Sequence, residues 1–130
     1  MMNRPQISTY RLGSPRTKHE GLRLGTVRHL PRGVPRSEYA RRDFFDVWLP
    51  LVAPSRELLA AFKDGKKTPQ QFFRAYQAEM QRPEARHTIE LLAAISRRTP
   101  IAVGCFCEDE TRCHRSVLIE LIRAAGKHLP

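Results

Sequence analysis

The sequence predicts an α/β fold, in which a small, largely parallel sheet is flanked by helices in a single domain of three-layer type. Two apolar segments near the N-terminus, at residues 7–12 and 22–30, are typical of strands, and the middle of the chain has the periodicity of helices. A third observation is an apolar run that begins at Ile101 and leads through a polar turn into an amphipathic segment. In α/β proteins this arrangement places ligands beyond the carboxyl ends of the strands.

The segments after the N-terminal strands are predicted from their turn residues. Alternation of apolar and polar residues is only partial in residues 22–30, where the second strand is expected. The two prolines of residues 31–35 prevent a strand or a helix from continuing, so an ordered loop should leave the carboxyl end of that strand. A short helical turn is expected at residues 37–42. The order of the strands cannot be read from these patterns.

The helices of the middle region carry start signals. Ser55 is the expected N-cap of a helix over residues 56–62. Thr68, with Gln71 three residues later, predicts a capping box at the start of the next helix. Two more helices are predicted, over residues 83–97 and from Cys113-His114-Arg115 to about residue 125, the last with Gly126 as its cap.

An aromatic segment interrupted by Pro50 supplies further candidates for the core. Its large apolar side chains are expected to be buried, and a platform on which bases stack is the alternative. The residues are Phe44, Phe45, Trp48 and Leu49.

Length and composition indicate one domain over residues 1–130, with residues 1–6 as a tail. The chain has no apolar run of about 20 residues that could span a membrane and no apolar segment of signal-peptide type at its start. A cytoplasmic location is therefore expected. In that reducing compartment the three cysteines should be mostly thiols, and a disulfide framework is not predicted.

Positive charge is concentrated at the N-terminal end of the chain. Of the net charge of +10, residues 1–42 carry +8 and residues 43–130 carry +2. Such an asymmetry is typical of proteins that meet phosphates or another polyanion. A nucleic acid or a phosphorylated small molecule is therefore a candidate partner, and a solubilising surface charge is the alternative.

The cysteine that precedes the last helix is the main candidate for chemistry. Cys113 is predicted near the helix N-terminus, where unpaired N–H groups, the helix dipole and neighbouring arginines favour a thiolate. His114 is a candidate base, and Arg115 a candidate group for stabilising developing negative charge. Arg28 and Arg32 flank the loop that leaves the second strand, and they are predicted to bind an anion at the same edge of the sheet.

Two other interpretations of the cysteines compete with this one. The thiol and imidazole groups of Cys105, Cys107, Cys113 and His114 are of the kind that bind zinc. Ligands at the neighbouring positions 113 and 114 are expected to point apart, however, so no metal or other cofactor is predicted. In the third interpretation the thiols are small core residues. The acidic residues 108–110 are expected to form a solvated turn.

These motifs together resemble the domain-of-unknown-function family 488 (DUF488). The N-terminal two-thirds look like its YeaO-like branch, and the Cys-His-Arg turn looks like the family's other branch. The resemblance implies a compact α/β fold in which the arginine loop and the Cys-His-Arg turn meet at one cleft, and it implies no particular reaction. The matching segments are Arg28 with Pro31-Arg32-Gly33-Val34, residues 48–55, Phe72, Tyr76 and Glu79, and Cys107-Glu108 with Cys113-His114-Arg115.

The sequence therefore predicts an anion-binding cleft that is built from an arginine loop and a Cys-His-Arg turn. A cysteine-dependent enzyme acting on a phosphate-bearing or nucleotide ligand is the leading hypothesis. A non-catalytic nucleic-acid-binding module and a small zinc-stabilised domain are the alternatives.

Overall fold

The computed structural model describes residues 4–107 and 113–130, and a parallel sheet lies at the centre of this part of the chain. The four strands have the order β1-β4-β2-β3, and each neighbouring pair is parallel. The predicted α/β fold with a parallel sheet is confirmed. The strands are β1 (Ile7–Arg11), β2 (Leu22–Gly25), β3 (Val47–Trp48) and β4 (Ile101–Cys105), and the helices are α1 (Arg56–Lys63), α2 (Pro69–Glu79), α3 (Pro83–Ser96) and α4 (His114–Gly126).

The last strand in the sequence occupies a central position in the sheet. All five residues of β4 are buried, as its uninterrupted apolar pattern predicts. Ile101 is paired with Ile7 on one side and with Leu22 on the other. Because parallel strands end at the same edge, this position brings the carboxyl ends of β1, β2 and β4 together.

The second strand is shorter than the sequence predicts. It ends at Gly25, whereas residues up to 30 were expected to continue it. Its partner β4 ends at Cys105, so a longer ladder would have no strand on which to pair. A Cβ atom at Gly25 would also collide with the ring of Phe45, which packs directly on this backbone.

The predicted helix starts are confirmed by hydrogen bonds. Ser55 Oγ accepts from the N–H of Leu58 at 3.1 Å. Thr68 and Gln71 form the reciprocal capping box, with distances of 3.2 Å to Thr68 Oγ1 and 2.9 Å to Gln71 Oε1. At the other end of the chain, Gly126 is the last residue of α4 and not its cap, because Lys127 still has helical dihedral angles.

The core has two parts that lie against different elements. One part contains residues from all four helices together with Leu24, Ile101 and Val103 of the sheet. The other joins β1 and β4 to the segment of residues 27–48, which includes a short 3₁₀ turn at Arg36–Glu38. Phe45 is buried and its aromatic neighbours pack on this second part, so the expected core role of this segment is confirmed.

A buried ion pair joins the β1–β2 connection to the second part of the core. The side chain of Arg23 is fully buried and donates to the Glu20 carboxylate. It also donates to the carbonyl oxygens of Ser14 and Asp43, both at 2.7 Å, and its guanidinium lies 4.2 Å from the centre of the Tyr10 ring. Sequence patterns placed Arg23 in a strand but did not indicate this network.

No helix in the described part of the chain is long and apolar enough to cross a membrane.

Candidate functional site

The candidate site lies where β2 and β4 end and α4 begins. Cys105 is the last residue of β4, Cys113 is the N-cap of α4, and His114 is the first residue of that helix. Thr26, which directly follows β2, completes the group. The predicted acidic turn at residues 108–110 and Arg112 lie outside the described residues.

Cys105 and Cys113 are paired in the structure. Their Sγ atoms are in direct contact, and their Cα atoms are 7.6 Å apart. The expectation that the cysteines are mostly thiols stays a prediction, because a Cα separation of 7.6 Å exceeds the usual range of a disulfide. The end of β4 and the start of α4 are adjacent, so two residues that are eight positions apart in the sequence meet in the second part of the core.

His114 is buried and oriented by the end of β2. Its Nε2 atom lies 2.6 Å from the carbonyl oxygen of Thr26 and 3.2 Å from that residue's hydroxyl. Since a carbonyl oxygen only accepts, Nε2 carries the proton and Nδ1 presents its lone pair. Nδ1 lies 3.6 Å from Sγ of Cys113, and the ring of Tyr76 packs edge-on with centroids 5.3 Å apart.

The charge state of His114 follows from its surroundings. Burial lowers the pKa of this imidazole to about 4, the hydrogen bond to the Thr26 carbonyl opposes the shift, and the positive charge of Arg115 adds to it. His114 is therefore neutral near pH 7, which leaves Nδ1 available as a hydrogen-bond acceptor or a ligand atom.

The side chains at positions 113 and 114 converge, and the expectation that they point apart is wrong. Cys113 has extended dihedral angles, with φ of −116° and ψ of 146°, whereas His114 is already helical. The conformation changes between the two residues, so the alternation that an extended chain would impose does not apply.

Arg115 points towards the end of β1. It is buried, and Nη1 donates to the carbonyl oxygen of Tyr10 at 2.6 Å. Its Nε atom is buried without a hydrogen-bond partner among the described residues. A buried donor without a partner is costly.

A cavity of about 140 Å³ opens beside the site. Arg28 and His29 of the arginine loop line it together with Cys105 and His114. Arg32 is exposed, and neither Arg32 nor Cys113 nor Arg115 is among the described residues that line this cavity. Among the predicted site residues, the structure thus brings Arg28 next to His114 at one cavity, with Cys113 behind the cavity wall.

The segments that carry the family resemblance are joined to one another by hydrogen bonds. Arg28 donates from Nε to the carbonyl oxygen of Pro54 at 3.2 Å and from Nη2 to that of Ala53 at 3.3 Å. Tyr76 donates to the carbonyl oxygen of Val52 at 2.7 Å. The Glu79 carboxylate accepts a hydrogen bond from the N–H of Ser55, and the Trp48 indole donates one to the carbonyl oxygen of Val27. The bonds of Arg28 and Trp48 thus tie the start of the arginine loop to residues 48–55, and Tyr76 and Glu79 tie those residues to α2.

Sequence patterns did not indicate the part played by Thr26. Its carbonyl oxygen holds His114, and its hydroxyl donates to the Gly104 carbonyl at 2.9 Å. A backbone acceptor leaves no signal in residue type, so only the convergence of β2 and α4 identifies it.

Comparison with known proteins gives a family match. Residues 7–126 match the family model described as "DUF488-N3a: Active DUF488-N3 subclade". No curated protein matches the chain, and no solved structure does. A match over nearly the whole chain, together with the fold and the Cys-His-Arg turn, identifies the family: the chain belongs to DUF488, within the subclade designated N3a and described as active.

Proposed function

We propose that the protein is a cysteine-dependent enzyme that acts on an anionic ligand, such as a phosphate-bearing small molecule or a nucleotide. The observation that carries this proposal is the meeting of Arg28, His114 and Cys105 at one cavity at the carboxyl edge of a parallel sheet, with Cys113 in contact with Cys105 and His114. The family description of an active subclade supports an enzyme over a non-catalytic module.

Each of the site residues has a separate task in this proposal. Cys113, reduced to a thiol, is the nucleophile, because the N-terminus of α4 favours its thiolate. While Cys113 is protonated, its thiol donates a hydrogen bond to Nδ1 of His114, which orients the sulfur. With a pKa of about 4 this imidazole is a weak base, so the thiol proton passes to solvent when the thiolate forms. The unpartnered Nε of Arg115 is the donor for negative charge that develops at the reacting centre.

Arg28 binds the ligand's anion at the cavity, and Arg32 contributes long-range attraction from the exposed side of the same loop. Within the family, the loop of residues 28–34 and the segment of residues 48–55 support placement near the YeaO-like branch. The Cys-His-Arg turn resembles the other branch, so we propose that the chain combines motifs of both branches.

The nucleophile is tested by alkylation across pH. The protein is reduced with a phosphine, kept in a metal chelator and treated with iodoacetamide, and the labelled peptides are quantified by mass spectrometry. The substitution Cys107→Ser removes the exposed thiol that would otherwise dominate labelling. We expect Cys113 to be labelled at pH values well below about 8.5, the ordinary pKa of a cysteine thiol.

The variant Cys113→Ser in the same background gives the level of labelling that Cys105 contributes. Labelling of Cys113 that follows an ordinary thiol titration near pH 8.5, or its complete resistance in the folded protein, would contradict the proposed nucleophile.

A further inference from the structure

The cysteine pair and His114 form a cluster with the chemistry of a metal site. We infer that, when the Cys105–Cys113 bond is reduced, Cys105, Cys113 and His114 together bind one divalent ion of the zinc type. The Sγ atoms of the two cysteines and a ring nitrogen of the histidine all lie within 4.8 Å of one another, and all three residues are buried. Metal binding goes beyond the proposed reaction and does not require Cys113 to be a nucleophile.

The histidine is already oriented as a metal ligand. Zinc-bound histidines almost always donate the second ring N–H to a carbonyl or a carboxylate, which fixes the tautomer. In His114 this group is Nε2–H, donated to the Thr26 carbonyl oxygen at 2.6 Å. The other nitrogen, Nδ1, faces Sγ of Cys113 at 3.6 Å.

The backbone spacing of the two cysteines also suits a shared ion. Their Cα atoms are 7.6 Å apart, whereas most disulfides have a separation of about 4.4–6.8 Å. Two thiolates that bind one zinc ion each sit about 2.3 Å from it, so their Cα atoms are held further apart than in a direct bond.

Charge favours an ion over two buried thiolates. Both cysteine side chains are almost completely buried, and uncompensated negative charge is costly there. A divalent ion cancels the charge of two thiolates. The donor set of two sulfurs and one imidazole suits zinc better than magnesium or calcium, which prefer oxygen ligands.

Three protein ligands leave a fourth position, which in tetrahedral catalytic zinc sites is taken by water or substrate. Cys105 and His114 both line the cavity beside Arg28, so water or an anion in that cavity can approach the ion. A bound ion would also occupy the Cys113 thiolate, and metal binding would therefore compete with alkylation of this residue.

The chemistry of loading balances without another partner. A phosphine and water reduce the Cys105–Cys113 bond with two electrons and two protons, which gives two thiols and a phosphine oxide. Binding of Co²⁺ or Zn²⁺ then releases those two protons to the buffer.

The experiment titrates the reduced, oxygen-free protein with Co²⁺ and follows its absorption. We expect one equivalent to bind with a thiolate-to-cobalt charge-transfer band and the intense visible bands of a tetrahedral site, and Zn²⁺ to displace it. The oxidised protein should show no such spectrum. Elemental analysis after gel filtration should then find one zinc per chain in the reduced protein.

Variants assign the ligands. Cys105→Ser, Cys113→Ser and His114→Gln should each weaken Co²⁺ binding at least tenfold, whereas Cys107→Ser should bind like the wild type. Circular dichroism identifies any variant that does not fold, and the comparison of reduced with oxidised wild type requires no variant.

Failure of the reduced wild type to retain metal would overturn the site, as would binding that depends on Cys107 and not on Cys105. The alkylation result in chelator is unaffected by either outcome, so failure of the metal site is distinguishable from failure of the nucleophile.

Discussion

Arg28 combines a structural contact with a position at the cavity. Its guanidinium donates to the carbonyl oxygens of Ala53 and Pro54, and the same side chain lines the space beside Cys105 and His114. Arg32 lies four residues further along the same loop and is exposed. Two arginines of equal charge and close sequence position therefore differ in what surrounds them, which makes them a matched pair.

Replacing Arg28 should weaken anion binding much more than replacing Arg32. A hydrogen bond to a charged group contributes about 1.5–3 kcal/mol, so we expect Arg28→Met to raise the dissociation constant by about tenfold to a hundredfold. Inorganic phosphate and a nucleoside monophosphate are the probes, with calorimetry as the measurement.

The variant Arg32→Met is the control, and it should change binding by less than about threefold at 0.15 M salt because an exposed charge is screened. Each variant's melting temperature is compared with and without the probe, so that a general loss of stability is separated from a loss of binding. Equal effects of the two substitutions would contradict a specific role for Arg28.

At the scale of elements, the site is built where two strands end and one helix begins. The end of β4 supplies Cys105, the residue after β2 supplies the carbonyl that holds His114, and the start of α4 supplies Cys113 and His114. Cys113 is the N-cap of α4, but its side chain makes no capping hydrogen bond. A cysteine at a position that favours serine, threonine, asparagine or aspartate gives up capping, which is consistent with a functional role for its sulfur.

The start of α2 offers a contrasting case, because its cap serves stability alone. Thr68 and Gln71 satisfy each other's backbone N–H groups at an exposed helix start. We expect Thr68→Ala to lower the free energy of unfolding by about 1 kcal/mol, and Thr68→Ser to change it little, as measured by urea denaturation. If alanine and serine are equally stable there, the capping box does not contribute as its geometry indicates.

At the scale of the whole molecule, part of the basic N-terminal third is used internally. Arg23 is buried with Glu20, Arg16 is paired with Asp46 at 2.8 Å, and Arg41 is paired with Glu38 at 2.6 Å. The charge of +8 in residues 1–42 already includes Glu20 and Glu38, so of these three pairs only that of Arg16 with Asp46 lowers it further.

The buried pair should also determine stability in acid. Burial alone would raise the pKa of Glu20, but its hydrogen bonds and charge interaction with Arg23 outweigh burial and hold the pKa below the ordinary value of 4.5. The pair's contribution is then complete above pH 4.5 and is lost as the pH falls through the lower, folded pKa.

We expect Glu20→Gln to destabilise the protein by about 3 kcal/mol at pH 7, since Arg23 is left buried without its countercharge. The variant's unfolding free energy should also decline less between pH 5 and acid unfolding, because one group with a lowered pKa is gone. Thermal or urea unfolding across pH provides the measurement. Glu90→Gln, at an exposed position of α3, is the control, and matching acid profiles for wild type and Glu20→Gln would exclude this role for the pair.

Local patterns determined most of the elements. The capping residues Ser55 and Thr68 give helix starts, and the apolar run after Pro100 gives a buried strand, because these features depend on residues a few positions apart. The sequence also indicated Arg28 and the Cys-His-Arg turn as candidate site residues, since charge and thiol chemistry are visible in residue type.

Only the tertiary structure decided how these parts meet. The order β1-β4-β2-β3 places the last strand at the centre, and this pairing alone brings Thr26 to His114, 88 residues away, and Arg28 to the same cavity. The pairing of Cys105 with Cys113, the inward Arg23 and the convergence of Cys113 with His114 were likewise not predicted. The physical reason is that strand pairing and burial depend on contacts between distant residues, whereas caps and periodicity are properties of the local chain.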